Sequence, residues 1–181
     1  MSHPLFALSP LDGRYKSAMG HLPVFFSEAG LMQYRLKVEV EYLIALSEYG
    51  KIPEFPKFSD KLKNRLRALV ENFGLKQAEE VKALEAETNH DVKAIEYYLR
   101  DELKSLSLFP ESALSFIHFA LTSEDVNNLS YAMMIRDALS KEYFPTGRAF
   151  LASLSSLAKK WKKIPMLALT HGQPASPTTV G

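Results

Sequence analysis

Apolar residues along this chain recur at intervals of three and four almost from end to end. Leu31, Tyr34, Val38, Tyr42, Ala45 and Tyr49 form one such stripe and stop at Gly50, which predicts an amphipathic helix with a glycine terminator. Leu62, Leu66, Leu69 and Phe73 form a second, with Ser59 as its N-cap. A third helix is expected to carry Val81 and Leu84, with Glu79, Glu80, Glu85 and Glu87 on its solvated face. Asn89-His90-Asp91 interrupts the period, and Val92, Ile95, Leu99 and Leu103 restart it, with Asp91 placed to cap the free amides. The interruption reads as a polar elbow between two helices.

Pro110 blocks helix continuation and marks a boundary, giving a first region over 1–110 and a second over 111–181. In the second region Leu114, Ile117 and Leu121 suit a short helix. Thr122 with Asp125 three residues on has the capping-box pattern for a longer one through Leu129, Met133 and Leu139. Pro145 is expected to kink or break it. Phe150, Leu154, Leu157 and Trp161 continue the period, and Lys159, Lys160, Lys162 and Lys163 complement the negative C-terminal dipole before Pro165. No segment has a convincing strand period; Met166 to Leu169 is apolar but very short. The expected fold class is all-α. Helices flanking Pro145 expose too wide an apolar stripe for so short a chain to cover, which implies further sequence or an oligomer.

Composition narrows the function. At 181 residues with 46% apolar content, the chain is an ordinary globular protein. Lys plus Arg number 22 against 21 Asp plus Glu, so no global charge draws it to nucleic acid or an acidic membrane surface. The absence of cysteine excludes disulfides, thiolate metal sites and a cysteine nucleophile within this segment. Met1 to Phe6 lacks the basic start and apolar core of a signal peptide, and no apolar run approaches the roughly 20 residues of a membrane helix. A cytoplasmic protein is expected.

Four loops concentrate the polar chemistry. Ser9-Pro10-Leu11-Asp12-Gly13-Arg14-Tyr15 is turn-rich and ends in a guanidinium and a phenol, either a plain surface turn or a phosphate or carboxylate contact. In Asn89-His90-Asp91 the histidine is either solvent-facing beside an N-cap or able to donate to an anion and exchange a proton near neutral pH. Thr122 and Ser123 serve a capping box, and two hydroxyls beside free helix amides also make a carboxylate site. Thr170-His171-Gly172-Gln173 is hardest to read as structure alone, since Gly172, Pro174 and Pro177 keep His171 in a non-helical loop. His3, His21, His90, His118 and His171 show no metal-ligand spacing, and His118 reads as a satisfied helix histidine.

Taken together, Ser9 to Tyr15, Thr88-Asn89-His90-Asp91-Val92-Lys93-Ala94-Ile95-Glu96, Phe119-Ala120-Leu121-Thr122-Ser123-Glu124-Asp125-Val126-Asn127-Asn128 and Thr170-His171-Gly172-Gln173-Pro174-Ala175 closely resemble the adenylosuccinate lyase family of the fumarase/aspartase superfamily. The resemblance runs over the whole chain as an N-terminal portion. It implies a small N-terminal helical domain (1–110) followed by the start of a long central helical bundle (111–181). It also implies β-elimination of fumarate from adenylosuccinate, giving AMP, and from succinyl-aminoimidazole-carboxamide ribotide, with no cofactor and no metal. By the same resemblance His171 is the general acid, and Arg14, Tyr15, Asn89, His90, Asp91, Thr122 and Ser123 bind substrate. Thr122 and Ser123 hold a succinyl carboxylate, and His90 binds and orients, with a supporting catalytic role left open. The family assembles as a homotetramer with shared active sites.

One departure matters. The family's general base is a serine in a loop patterned G-S-S-x-M-P-x-K-x-N-P, and nothing in these 181 residues resembles it; Ser155-Ser156 lies in a helical stretch. The chain alone is therefore expected to be inactive. Two other readings stay open: a fumarate-releasing lyase of the argininosuccinate type, and a non-catalytic helical assembly module.

Overall fold

A computed structural model describes residues 9–181; the stretch Met1 to Phe6, with His3, lies outside them. The chain forms two compact units, one running to Asp137 and one from Ala138 to Gly181. Pro110 falls inside the first. Among the described residues there are seven α-helices and a single two-stranded sheet, and the all-α class holds.

The first unit is built around α2 (Glu28–Tyr49), which follows the short α1 (Leu22–Phe26). Ser27 caps α2 by accepting from the Gly30 amide at 3.1 Å, and Gly50 ends it at φ 63°. Met32, Leu36, Val40, Leu43 and Ile44 of α2 enter the main core, with Leu36, Val40 and Leu43 wholly buried. That is a different stripe from the one read in the sequence, where Ala45 and Tyr49 prove exposed. The helix is apolar on more than one side, as a central helix must be, so a three-four pattern can be drawn through either face.

Around it pack α3 (Asp60–Glu71), α4 (Leu75–Thr88) and α5 (Asp91–Ser105). Ser59 caps α3 through the Leu62 amide at 3.3 Å, and Leu62 and Leu66 are buried as their spacing predicts. Asn89, in the left-handed region at φ 51°, closes α4 and makes the elbow. The expected cap of α5 needs correction. Its N-cap is His90, whose Nδ1 accepts from the Lys93 amide at 3.2 Å, while Asp91 is the first helical residue and accepts from Val92 N at 2.9 Å.

The segment after Pro110 also differs from expectation. A 3₁₀ helix covers Glu111–Phe116 and stops there, because His118 and Ala120 both take positive φ (60° and 56°). His118 is thus not a helix histidine. Phe116 meets Phe55 edge-to-face at 4.9 Å and Phe119 at a tilt at 5.0 Å, which ties this irregular stretch to the core. Then α6 (Ser123–Ala138) begins at the expected box: Asp125 Oδ2 accepts from the Thr122 amide (2.7 Å) and hydroxyl (2.9 Å).

Gly30 shows a close approach that only glycine permits. A Cβ there would stand 2.6 Å from the Val24 carbonyl oxygen and 3.2 Å from that of Phe25, so α1 would have to move off α2. Gly30→Ala is expected to cost about 1–3 kcal/mol, the usual range for overpacking, and urea unfolding of the chain checks it.

In the second unit a π-helical turn, Leu139–Tyr143, leads into α7 (Phe144–Trp161) with Pro145 in its first turn. Proline does not break the helix here. The Phe144 amide reaches back five residues to Leu139, and the wider turn accommodates a ring that cannot donate. Phe150, Leu151 and Leu154 of α7 are exposed, and Lys159 and Lys160 occupy its last turn. The unit ends in an antiparallel hairpin, β1 (Pro165–Thr170) and β2 (Gln173–Thr179), with Thr170 paired to Gln173 and an irregularity between Leu167 and Leu169. The strand period is unconvincing here because the apolar run Met166 to Leu169 is very short; the second strand also contains Pro174 and Pro177, which a two-stranded ribbon tolerates because both its strands are edges.

Candidate functional site

Two of the four candidate loops converge on one stretch of α2. Val38 of α2 packs with Val92, near the start of α5, and Val126, one turn into α6, and all three are buried. Apolar contact therefore brings the elbow and the start of α6 to a common support. A buried polar link then joins them. Arg35, 5% exposed, sends Nη2 to Asp91 Oδ2 (2.6 Å) and Nε to Asn127 Oδ1 (2.9 Å). Asn127 in turn donates to Glu124 Oε1 at 3.1 Å.

The elbow's groups are not equivalent. Burial raises the Asp91 carboxyl, but the Arg35 charge and hydrogen bond and the Val92 amide outweigh it and hold the group below the usual carboxylate range. Both Asp91 oxygens are engaged internally. His90 spends Nδ1 on the Lys93 amide, which places the proton of the neutral ring on Nε2, a donor suited to an anion. At the start of α6 the Thr122 hydroxyl is committed to Asp125, whose carboxyl is lowered by the Thr122 backbone and side-chain hydrogen bonds. Among the described residues the Ser123 hydroxyl has no hydrogen-bond partner, and it sits at the N-terminus of a 16-residue helix, where amides favour a carboxylate.

Sequence reasoning missed the residues that hold this arrangement. Below Arg35 on the same face of α2, Glu39 lies fully buried with Oε1 2.6 Å from His118 Nδ1, and Glu96 Oε1 lies 3.8 Å from the same nitrogen. Tyr42 donates to the Phe119 carbonyl at 2.9 Å. The available signal was the spacing: Arg35, Glu39 and Tyr42 stand at i, i+4 and i+7 in a helix whose neighbours are apolar, which places them on one face. Burial pushes the Glu39 carboxyl up, and His118 offsets this only in part.

Arg14 and Tyr15 remain apart from this network. Their segment is a run of turns fixed by Asp12 and Gly13 amides on the Ser9 carbonyl, and the Arg14 guanidinium lies 5.6 Å from the Tyr15 ring centre. Among the described residues no hydrogen bond joins either to the elbow or to α6. A cleft of about 220 Å³ between α2 and α6, lined by Val38, Tyr42, Leu121 and Met133 among others, contains none of the candidate residues.

In the second unit His171 occupies the hairpin tip and is exposed. His171 (φ 50°) and Gly172 (φ 74°) are the two central residues between the paired Thr170 and Gln173. Two successive positive φ values make a type I′ turn, whose twist matches that of the strands. The loop chemistry read in the sequence is thus a strained turn that presents an imidazole to solvent.

Residues 13–181, which include every candidate position, match the protein-family profile described as Lyase. The chain belongs to this lyase family. The lyase chain is 45% identical over 177 residues to adenylosuccinate lyase of Legionella pneumophila (strain Corby). It is 46% identical over 178 residues to that of Haemophilus influenzae and 42% over 179 to that of Escherichia coli (strain K12). Each match covers 98% of the lyase chain and 39% of the relative, so the chain spans about two fifths of the curated relatives it matches. Among its described residues no group of three or more His, Asp or Glu could hold a metal ion, and no helix is long and apolar enough to cross a membrane.

Proposed function

We propose that this lyase chain carries the proton-donating and much of the substrate-binding machinery of an adenylosuccinate lyase. The observation that carries the reading is the convergence of the elbow and the start of α6 on α2, in a chain alike over 98% of its length to relatives of that name. In the proposed reaction a base removes a proton from the succinyl carbon beside a carboxylate, and negative charge builds on that carboxylate. Donors aimed at it, from Thr122, Ser123 and the amides of α6, lower the barrier. The electron pair then forms the fumarate double bond as the carbon–nitrogen bond breaks. His171 supplies a proton to the departing purine amine, so AMP and fumarate leave in equal amounts.

The remaining residues fit the nucleotide. Arg14 and Tyr15 offer a guanidinium and a phenol to phosphate, and Asn89 and His90 offer donors at the elbow. Asp91, with both oxygens engaged, serves the same site by fixing the elbow's shape. The second substrate, succinyl-aminoimidazole-carboxamide ribotide, presents the same succinyl amine. We also propose a homotetramer with shared sites in the cytoplasm, no cofactor, and residues 111–181 as the opening of the bundle.

Expression of the complete reading frame containing these residues, assayed for fumarate and AMP from adenylosuccinate, tests the reading. Turnover is expected from that product and none from the 181 residues alone, which contain no counterpart of the serine-bearing loop. A folded product that spares adenylosuccinate but cleaves argininosuccinate would overturn the purine assignment, and one that cleaves neither would favour an assembly module.

A further inference from the structure

Arg35 is the buried cation at the centre of the link between the two loops. Removed from water, a guanidinium must be paired and hydrogen-bonded, and Arg35 meets that need with two acceptors from two different helices. Asp91 opens α5 and directly follows His90; Asn127 lies four residues past Ser123 on α6. A guanidinium has donors only, so it also fixes the Asn127 amide with its oxygen inward, which leaves the amide nitrogen to Glu124. The valine contacts beneath bring the two helix starts together but are non-directional, whereas the planar fork sets both direction and spacing.

Two further contacts from the same face of α2 grip the chain leading into Thr122. Glu39 meets His118, and Tyr42 meets the Phe119 carbonyl. This stretch contains His118 and Ala120 at positive φ, conformations that persist only where the surroundings over-determine them. The face of α2 bearing Arg35, Glu39 and Tyr42 therefore braces both loops against one helix.

We infer that Arg35 is a positioning residue: its guanidinium, bonded at once to Asp91 and Asn127, sets the separation between the elbow and the Thr122-Ser123 turn so that one substrate spans both. The inference rests on the reading above that these loops bind adenylosuccinate. At 5% exposure Arg35 acts through its partners and not on substrate.

The test uses the complete reading frame with Arg35→Lys, which keeps the charge but cannot hold both acceptors in the same fork. A displacement of about 1 Å can cost 10²-fold, and a fall of about that size in kcat/KM is expected. Much of it should be in KM for adenylosuccinate, while inhibition by fumarate, which occupies only the dicarboxylate part, weakens by less than about threefold. A role confined to folding would move neither constant, or both alike. Asn127→Ala, which removes only the α6 leg, is expected to show the same split to a smaller degree, and it decides the matter if Arg35→Lys does not fold. Wild-type KM in folded variants, or equal losses for substrate and fumarate, overturns the inference. Absence of wild-type turnover instead overturns the functional reading beneath it.

Discussion

Replacing His171 by Asn in the complete reading frame is expected to lower fumarate release from adenylosuccinate by about 10²–10⁴-fold, the usual contribution of a positioned general acid. Asn is the informative choice because of the turn. His171 sits at φ 50°, and Asn is among the few residues with a Cβ that visit the left-handed region readily. The hairpin should survive, with Thr170 still paired to Gln173 and Gly172 still at φ 74°. Only the ionisable imidazole is lost. Binding of substrate is expected to change little, so the loss falls on kcat, as it does when an interaction is made only in the transition state. His171→Ala would lose the acid and strain the turn together, and so should be the less active and the less stable of the two. Fumarate formation followed by absorbance, with KM determined for both variants, checks this. Retention of kcat within a few-fold in a folded His171→Asn protein would remove His171 from the chemistry.

Much of the helical layout was legible because its signals are local. Ser59 before Leu62 and Thr122 before Asp125 mark helix starts where backbone amides are satisfied by side chains, and Gly50 after Tyr49 ends its helix in the left-handed region. What was not legible depends on contacts distant in sequence. Ile117 continues a helical spacing from Leu114, yet His118 is drawn out of helical geometry toward Glu39, 79 residues away. Arg35 and Glu39 look like the polar side of an amphipathic helix and are buried because two other helices begin over them. The hairpin escaped because its apolar run, Met166 to Leu169, is very short, its strands hold three prolines, Pro165, Pro174 and Pro177, and its His-Gly turn is not among the dipeptides that announce a type I′ turn most strongly. The candidate residues themselves stood out as polar loops; that two of the loops share a support could not be read from spacing.

The buried pair behind that support carries the largest stability effect expected in the first unit. Glu39 is fully buried, His118 Nδ1 lies 2.6 Å from its Oε1, and its Oε2 has no hydrogen-bond partner among the described residues. His118→Ala strands the carboxyl, and breaking one side of a buried pair costs roughly 3 kcal/mol or more. The pH dependence follows from the direction of the Glu39 shift. Burial raises its pKa above the ordinary value near 4.5, and Glu96 adds to this, while His118 opposes it. An acid whose folded pKa lies above its unfolded one binds its proton more tightly when folded. The stability it contributes is therefore full below about 4.5 and is lost as pH rises through the folded value. Without His118 the opposing influence is gone and the folded pKa climbs further, even with Lys93 pairing Glu96 at 2.7 Å. The deficit of His118→Ala is thus expected to be large at pH 8 and to shrink on acidification toward pH 5. Adding Glu39→Gln, which has no charge to strand, should abolish that slope. Urea unfolding of the 181-residue chain and its variants across this range measures the effect. A deficit independent of pH, or none at all, would mean that the pair does not hold the loop.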